Sequence, residues 1–181
     1  MRSLIAALLL SAALVGPSAA DQDDLRLDPL FAALEQSRSL RQAQTYETLI
    51  WGLWLAHDDV KVEQMMSVAG AAIGEGLLEA ALGETDRVVA RAPDYAEGWN
   101  RRATVLYLLD RYEDSLADIE RVLALEPRHF GALSGRGLCL MALERYEEAE
   151  TAFVEALAVH PQMPGVKRNL RYLRRKLGNP I

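Results

Sequence analysis

Cysteine is almost absent from this chain of 181 residues, and Cys139 is the only one. A single thiol cannot form an internal disulfide, so the fold must be held by packing, and a disulfide-stapled domain is excluded. No cysteine follows Ala20, which disfavours a lipid-anchored lipoprotein. Because Cys139 falls within a stretch with helical spacing, we expect it to be a small buried residue.

Long apolar runs are also scarce, and the clearest spans residues 4–15. It is shorter than the roughly 20 residues that cross a bilayer. Arg2 precedes it and the small residues Ser18, Ala19 and Ala20 follow it, which predicts a secretory signal over residues 1–20. An uncleaved anchor is the alternative. We expect a secreted protein, in the periplasm if the source is a bacterium, with no transmembrane segment once the signal is removed.

An excess of basic residues is missing, since the net charge is −6. Nucleic-acid binding requires a broad basic face, so we expect no nucleic-acid partner. All 26 acidic residues precede Pro164, whereas six of the 20 basic residues follow it. The chain therefore has an acidic body and a basic end.

Motifs for catalysis or for metal binding are lacking as well. His57, His129 and His160 are dispersed without metal-ligand spacing, and we expect the latter two to lie on the surface. Ser134 lacks the flanking glycines of a nucleophile elbow, and no glycine-rich segment follows a strand. We therefore predict a protein that is not an enzyme and that holds neither a metal nor a cofactor.

What the sequence does contain is a repeat with a period of 34 residues. The segment 109–113 returns as 143–147, and Pro93, Pro127 and Pro161 lie one period apart. Apolar residues at helical spacing that end in a proline indicate a helix-turn-helix unit. Such units stack because one unit cannot bury its apolar face alone, so the period predicts an all-α solenoid.

The pattern resembles the tetratricopeptide repeat, with units at 96–129 and 130–163 and a looser unit at 62–95. Small residues recur at the same step of each unit, and Arg102 and Arg136, which also share a step, are expected to bridge neighbouring units. The resemblance implies that the first helix of each unit lines an inner groove that holds a partner's peptide or helix. The groove residues it implies are Glu97, Asn100, Arg101, Thr104, Tyr107 and Ser134.

Helical segments flank the three units. Residues 21–61 contain two amphipathic stretches, which we interpret as a helical pair that caps the stack, either as a separate cap or as a degenerate repeat. The alternative is a separate partner-binding hairpin that exposes Trp51 beside Trp54. Residues 164–181 are predicted to form a C-terminal capping helix, or else a docking surface for an acidic partner or an anionic envelope polymer. Its basic residues are Lys167, Arg168, Arg171, Arg174, Arg175 and Lys176.

These features favour a non-catalytic scaffold or adaptor of the bacterial envelope that binds a protein partner in the groove. The alternatives are a transient holder of extended envelope polypeptides and an accessory subunit of an envelope enzyme complex.

Overall fold

The computed structural model describes residues 22–178, which form nine helices and no strand. The proposed signal over residues 1–20 lies outside this part of the chain. The all-α fold class predicted from the repeat is confirmed. The helices are α1 (Leu27–Glu35), α2 (Leu40–Trp54), α3 (Val60–Gly74), α4 (Leu78–Arg91), α5 (Ala96–Leu108), α6 (Tyr112–Leu125), α7 (Phe130–Ala142), α8 (Tyr146–Val159) and α9 (Pro164–Leu177).

Helices α3–α4, α5–α6 and α7–α8 form three antiparallel pairs that stack in chain order. The second helix of each pair ends two residues before Pro93, Pro127 or Pro161. A proline disfavours helical geometry at the residue before it and supplies no backbone donor, which explains these ends. The second and third pairs fall within the units 96–129 and 130–163, and the first pair begins at Val60, two residues before the looser unit 62–95.

The turn inside each pair contains one residue in the left-handed region. These residues are Gly76, Asp110 and Glu144, with φ of 74°, 57° and 59°. They lie one period apart, so each turn reverses the chain in the same way. Only glycine adopts this conformation without steric cost.

Small residues let the two helices of a pair cross closely. Ala69 and Ala103 occupy the same step and are buried. At this step in the last pair, a Cβ on Gly137 would lie only 2.4 Å from Cε1 of Phe153 in α8. The expectation that small side chains recur at helix crossings is therefore met, because a larger one would push the helices apart.

Arg102 and Arg136 bridge helices, as expected. Arg102 pairs with Asp118 at 2.7 Å and with Asp86 at 3.0 Å, so it joins α4, α5 and α6. Arg136 reaches Glu120 in α6 at 3.8 Å and also pairs with Glu155 in α8. The repeated arginine thus ties neighbouring pairs on their outer side.

Helix α9 covers the C-terminal end of the stack. Val166, Leu170 and Leu173 are buried against the apolar residues of α7 and α8. Gly178 then ends the helix in a left-handed conformation with φ of 73°. Across residues 22–178, none of the helices combines the length and the apolar character needed to span a membrane.

Candidate functional site

The first helices of the pairs form the inner face of the stack. Helix α5 directly contacts both α3 and α7, whereas the second helices contact one another less. Closer spacing on one side of a stack curves it toward that side. The inner face is therefore lined by α3, α5, α7 and, at its end, α9.

Four of the six groove residues line one cavity between α5 and α7. Asn100, Thr104 and Tyr107 come from α5 and Ser134 comes from α7, around a cavity of about 180 Å³. Gly131, Gly135 and Leu138 complete much of its wall. The cavity thus presents an amide and three hydroxyl groups beside small residues that leave room for a ligand.

Glu97 occupies a different position from the one implied by the resemblance. Its side chain is 3% exposed. The carboxylate accepts hydrogen bonds from Asn100 at 2.8 Å and from Arg101 at 3.5 Å. It also lies 3.3 Å from the ring of His129, so it is a buried structural group that holds the start of α5.

Arg101 lies beside the cavity. Its guanidinium pairs with Glu97 and packs near Gly70 on α3, where a Cβ would lie 3.6 Å from Nη1. The side chain keeps 27% of its surface exposed. The guanidinium, whose charge is partly offset by Glu97, therefore lies on the inner face at the boundary between α3 and α5.

The basic residues of α9 divide into two groups. Arg174 pairs with Glu150 at 2.8 Å, Lys176 lies over the ring of Tyr146, and Lys167 donates to Gln162. These contacts attach α9 to the stack. The other three, namely Arg168, Arg171 and Arg175, are exposed and have no ion pair within residues 22–178.

Part of this second group continues the inner face. Arg168 and Arg175 lie 68 residues after Asn100 and Tyr107, which is two periods of the repeat. Arg168 also lines a cavity of about 470 Å³ between α2, α7 and α9. The inner face therefore becomes more basic toward the C-terminal end of the stack.

The helical pair α1–α2 does not cap the stack at α3, which differs from our expectation. It lies across the turns α6–α7 and α8–α9, at the edge of the inner face. Trp54 is buried there and stacks on His129, with ring centroids 4.1 Å apart and planes within 6°. Arg128 also pairs with Asp28 of α1, and Gln162 donates to the carbonyl of Ser37.

Trp51 is not exposed on a free hairpin either. It is half-buried between Phe130 and Gly131 at the start of α7. The two tryptophans and Phe130 contact one another in a single aromatic cluster with Phe31 of α1. The alternative of an exposed tryptophan pair is thus wrong, although helices α1 and α2 do form a hairpin that is separate from the three repeat pairs.

The expectation that His129 and His160 lie on the surface is wrong, because both are fully buried. In each ring Nδ1 accepts a backbone N–H, from Ala132 and Gln162 respectively. With Nδ1 as acceptor, the neutral ring carries its proton on Nε2, which faces Glu97 in His129 and Glu47 in His160. Burial lowers the pKa of His160, while Glu47 partly opposes that shift.

Nothing in the sequence pattern connects Trp51 and Trp54 with residues 129–131, which lie 75 to 80 positions further along the chain. The sequence does contain one local signal for the position of His129. A histidine immediately before the first residue of a helix can accept a hydrogen bond from one of that helix's first backbone N–H groups. A histidine that caps a helix in this way turns its ring toward the helix, so the general tendency of histidines to lie on the surface does not apply to it.

The described residues supply hydrogen-bonding groups around the cavity between α5 and α7. Residues 22–178 contain no group of three or more His, Cys, Asp or Glu side chains that could hold a metal ion. Cys139 is buried as expected and contacts Ser115, and burial raises the pKa of its thiol. The cavity between α5 and α7 therefore offers hydrogen-bond partners without an activated nucleophile.

Comparison with known proteins identifies the repeat. Residues 109–164 match the family model described as tetratricopeptide repeat. A tetratricopeptide repeat-containing protein of Rhizobium etli is 36% identical over 91 residues, which are 50% of this chain and 45% of that protein. The chain thus spans less than half of this relative.

Solved structures share the fold. The first tetratricopeptide domain of Spaghetti, bound to an HSP90 peptide, has a TM-score of 0.65 and 20% identity, over 67% of this chain and 97% of that one. A tetratricopeptide domain of yeast Sti1 in complex with an Hsp70 peptide has a TM-score of 0.61 and 16% identity, over 65% and 99%. The resemblance predicted from the 34-residue period is confirmed.

Proposed function

We propose that this chain, whose residues 109–164 match the tetratricopeptide repeat, is a non-catalytic interaction scaffold that binds a segment of a partner protein on its inner face. Folds of this family generally serve protein interaction. The domains of Spaghetti and Sti1 were solved with bound peptides, which supports a peptide as the ligand class.

The observation that carries the proposal is the convergence of Asn100, Thr104, Tyr107 and Ser134 on one open cavity. An extended peptide exposes unpaired backbone N–H and C=O groups along its length. The amide of Asn100 and the hydroxyl of Ser134 are able to hydrogen-bond to such groups, and the Tyr107 ring offers apolar contact to a side chain. Glu97 takes no part in this contact because its carboxylate is buried.

Charge on the inner face favours an acidic segment. Arg101 stands beside the cavity, and Arg168 and Arg175 lie further along the same face. A carboxylate that approaches these guanidinium groups forms charge-assisted hydrogen bonds. The acidic outer body repels the same segment elsewhere, so electrostatics would direct it to the groove.

The proposal also places the protein in the bacterial envelope, on the strength of the signal predicted over residues 1–20. A scaffold with a dedicated partner is the first candidate. A holder of extended envelope polypeptides and an accessory subunit of an envelope enzyme are the alternatives, and the number of partners recovered distinguishes them.

Thr104→Phe tests the groove. Thr104 is exposed on α5, and a phenyl ring there would fill the cavity. Thr151→Phe is the matched control, because both hydroxyls donate to the carbonyl four residues earlier and Thr151 is exposed on the outer helix α8. The measurement is a crosslinked affinity pull-down from the envelope fraction of the producing cells, with partners quantified by mass spectrometry.

We expect one dominant partner that binds the control as well as the original chain and binds Thr104→Phe at least tenfold less. Many weak partners, all reduced by Thr104→Phe, would favour the holder. A dominant partner retained by Thr104→Phe would place binding elsewhere and refute the groove proposal.

A further inference from the structure

The hairpin α1–α2 is seated on the stack in the manner of a bound ligand. Most of its buried apolar residues pack against each other, among them Leu27, Leu34, Ala43 and Ile50. Phe130 is the one fully buried apolar residue of the stack that joins this cluster. The hairpin therefore has a core of its own and is attached through a small number of side chains.

Three side chains of α2 make that attachment at helical spacing. Glu47, Trp51 and Trp54 occupy positions i, i+4 and i+7, so they share one face of the helix. Each contacts a different feature of the stack. The Glu47 carboxylate lies 3.4 Å from Nε2 of His160, and Trp54 stacks on His129.

The subsite for Trp51 is shaped by a glycine. A Cβ on Gly131 would lie 3.0 Å from Cη2 and 3.1 Å from Cζ2 of the Trp51 ring. A methyl group at position 131 would therefore require the ring to shift by a few tenths of an ångström, and a larger side chain would displace it. An aromatic residue at the middle position of the motif fits only because this wall has no side chain.

The fit of α2 to this surface is incomplete. The indole Nε1 of Trp54 is buried without a hydrogen-bond partner, which is the only such side-chain atom within residues 22–178. A buried donor with no acceptor carries the cost of its lost hydration. A phenylalanine would still stack on His129 through a smaller ring and would remove the unpartnered donor, so α2 leaves one buried polar group unpaired in this site.

Only a short segment connects the hairpin to the stack along the chain. Residues 55–59 join α2 to α3, and the carbonyl of Leu55 accepts a hydrogen bond from Tyr95 at 3.2 Å. Release of α2 requires that its attachment side chains leave and that the rest of the hairpin gives up its contacts, namely those of Asp28 with Arg128, Ser37 with Gln162 and Phe31 with Phe130. The surface beneath it is then open to another helix.

We propose that His129, Phe130, Gly131 and His160 form a binding site for an amphipathic helix of a partner protein, and that α2 occupies this site in cis. The partner helix carries a carboxylate, an aromatic residue and a phenylalanine at positions i, i+4 and i+7. This site adjoins the cavity between α5 and α7, because Gly131 lines both, but its ligand is a helix and the inference does not depend on the groove function proposed above.

The test uses a fluorescein-labelled peptide of residues 38–58 in which Trp54 is replaced by Phe. It is titrated by fluorescence anisotropy into the full chain and into the full-chain variant Trp51→Ala, Trp54→Ala. Hydrogen exchange on both proteins reports whether residues 27–54 have lost protection and whether α3–α9 remain folded. Adding Gly131→Leu to the variant provides the control, because leucine fills the Trp51 subsite.

We expect the peptide to bind the variant at least tenfold more tightly than the original chain, since α2 no longer competes. The Gly131→Leu addition should abolish that gain, and the peptide with Trp at position 54 should bind about tenfold more weakly than the Phe peptide. Should the double variant lose protection in α5–α8, Trp51→Ala alone, which removes a half-buried ring, replaces it with the same expected order of affinities.

Two outcomes would overturn the proposal. Equal binding to the original chain and the variant would mean that the peptide binds outside the site occupied by α2. No binding to a variant that has released residues 27–54 while α3–α9 stay protected would mean that the hairpin is a fixed part of the fold.

Discussion

At the scale of single residues, His160 is the most informative group because it connects three parts of the molecule. Its Nδ1 accepts from the backbone of Gln162 at the start of the α8–α9 turn, and its Nε2 faces Glu47 of α2. Both contacts suit the neutral ring. A proton added to Nδ1 would remove the acceptor for Gln162 and place a charge in a buried position.

This environment predicts a dependence of stability on pH. Burial lowers the pKa of His160, and Lys167 adds to that effect, whereas Glu47 acts in the opposite direction. In the unfolded chain the ring takes up its proton near pH 6.5. The stabilisation is therefore complete above about pH 6.5 and declines as the pH falls from there toward the lower pKa of the folded state.

We expect the urea midpoint of unfolding to decrease between pH 7.5 and pH 5.5. His160→Gln should have a smaller decrease, because glutamine retains a side-chain acceptor and does not titrate. The interval from pH 5.5 to pH 7.5 lies above the ordinary pKa of carboxyl groups, so the change in stability within it reports the titration of histidine. An unchanged slope in His160→Gln would show that another group causes the dependence.

At the scale of helices and turns, the repeat is encoded by backbone geometry as much as by apolar residues. Gly76, Asp110 and Glu144 adopt the same left-handed conformation one period apart. Asp110 also accepts a hydrogen bond from Tyr112 at 2.5 Å, which raises the pKa of that tyrosine to about 12. A residue with a Cβ is tolerated in these turns but at a steric cost.

Gly76→Ala should therefore destabilise the protein by about 1 kcal/mol, since a side chain makes the left-handed conformation costly. Gly83→Ala is the matched control. Gly83 is exposed within α4, with no atom within 4 Å of a Cβ, so alanine should stabilise the helix by up to about 1 kcal/mol. Chemical denaturation of both variants gives the measurement, and changes of the same sign would contradict this account.

The helices of the repeats were predictable because their signals are local and recur. Proline at helix ends, small residues at crossings and arginine at one step each appear at intervals of 34 residues. Each signal acts within one unit or between adjacent units. The inner face followed from the same register, which is why Asn100, Thr104, Tyr107 and Ser134 were assigned together.

At the scale of the whole molecule, the position of the hairpin could not be predicted from the sequence. Its contacts join residues far apart in the chain, such as Asp28 with Arg128 and Ser37 with Gln162. No periodicity connects these residues, and the amphipathic pattern of α2 fits a terminal cap equally well. For the same reason the repeat register alone places Glu97 in the groove, whereas its burial depends on His129 at the start of the next pair.

The arrangement predicts two levels of stability within one chain. Helices α5–α8 share continuous apolar cores and the arginine bridges at Arg102 and Arg136. The hairpin is attached through Phe130, the two buried histidines and a few polar contacts at its edge. Segments with fewer buried contacts to the rest of a protein open at lower free energy.

Native-state hydrogen exchange in low urea should therefore show α1 and α2 opening before α5–α8.

Phe130→Ala should increase the difference in stability between the hairpin and helices α5–α8. Phe130 packs against Phe31, Trp51 and Trp54, so its loss removes the main apolar contact of the hairpin with the stack. Truncation of a buried phenylalanine costs about 3 to 5 kcal/mol, and most of that loss should fall on residues 27–54. If protection falls equally in α5–α8, the hairpin and the stack are one cooperative unit, and displacement of α2 by a partner would require unfolding of the whole protein.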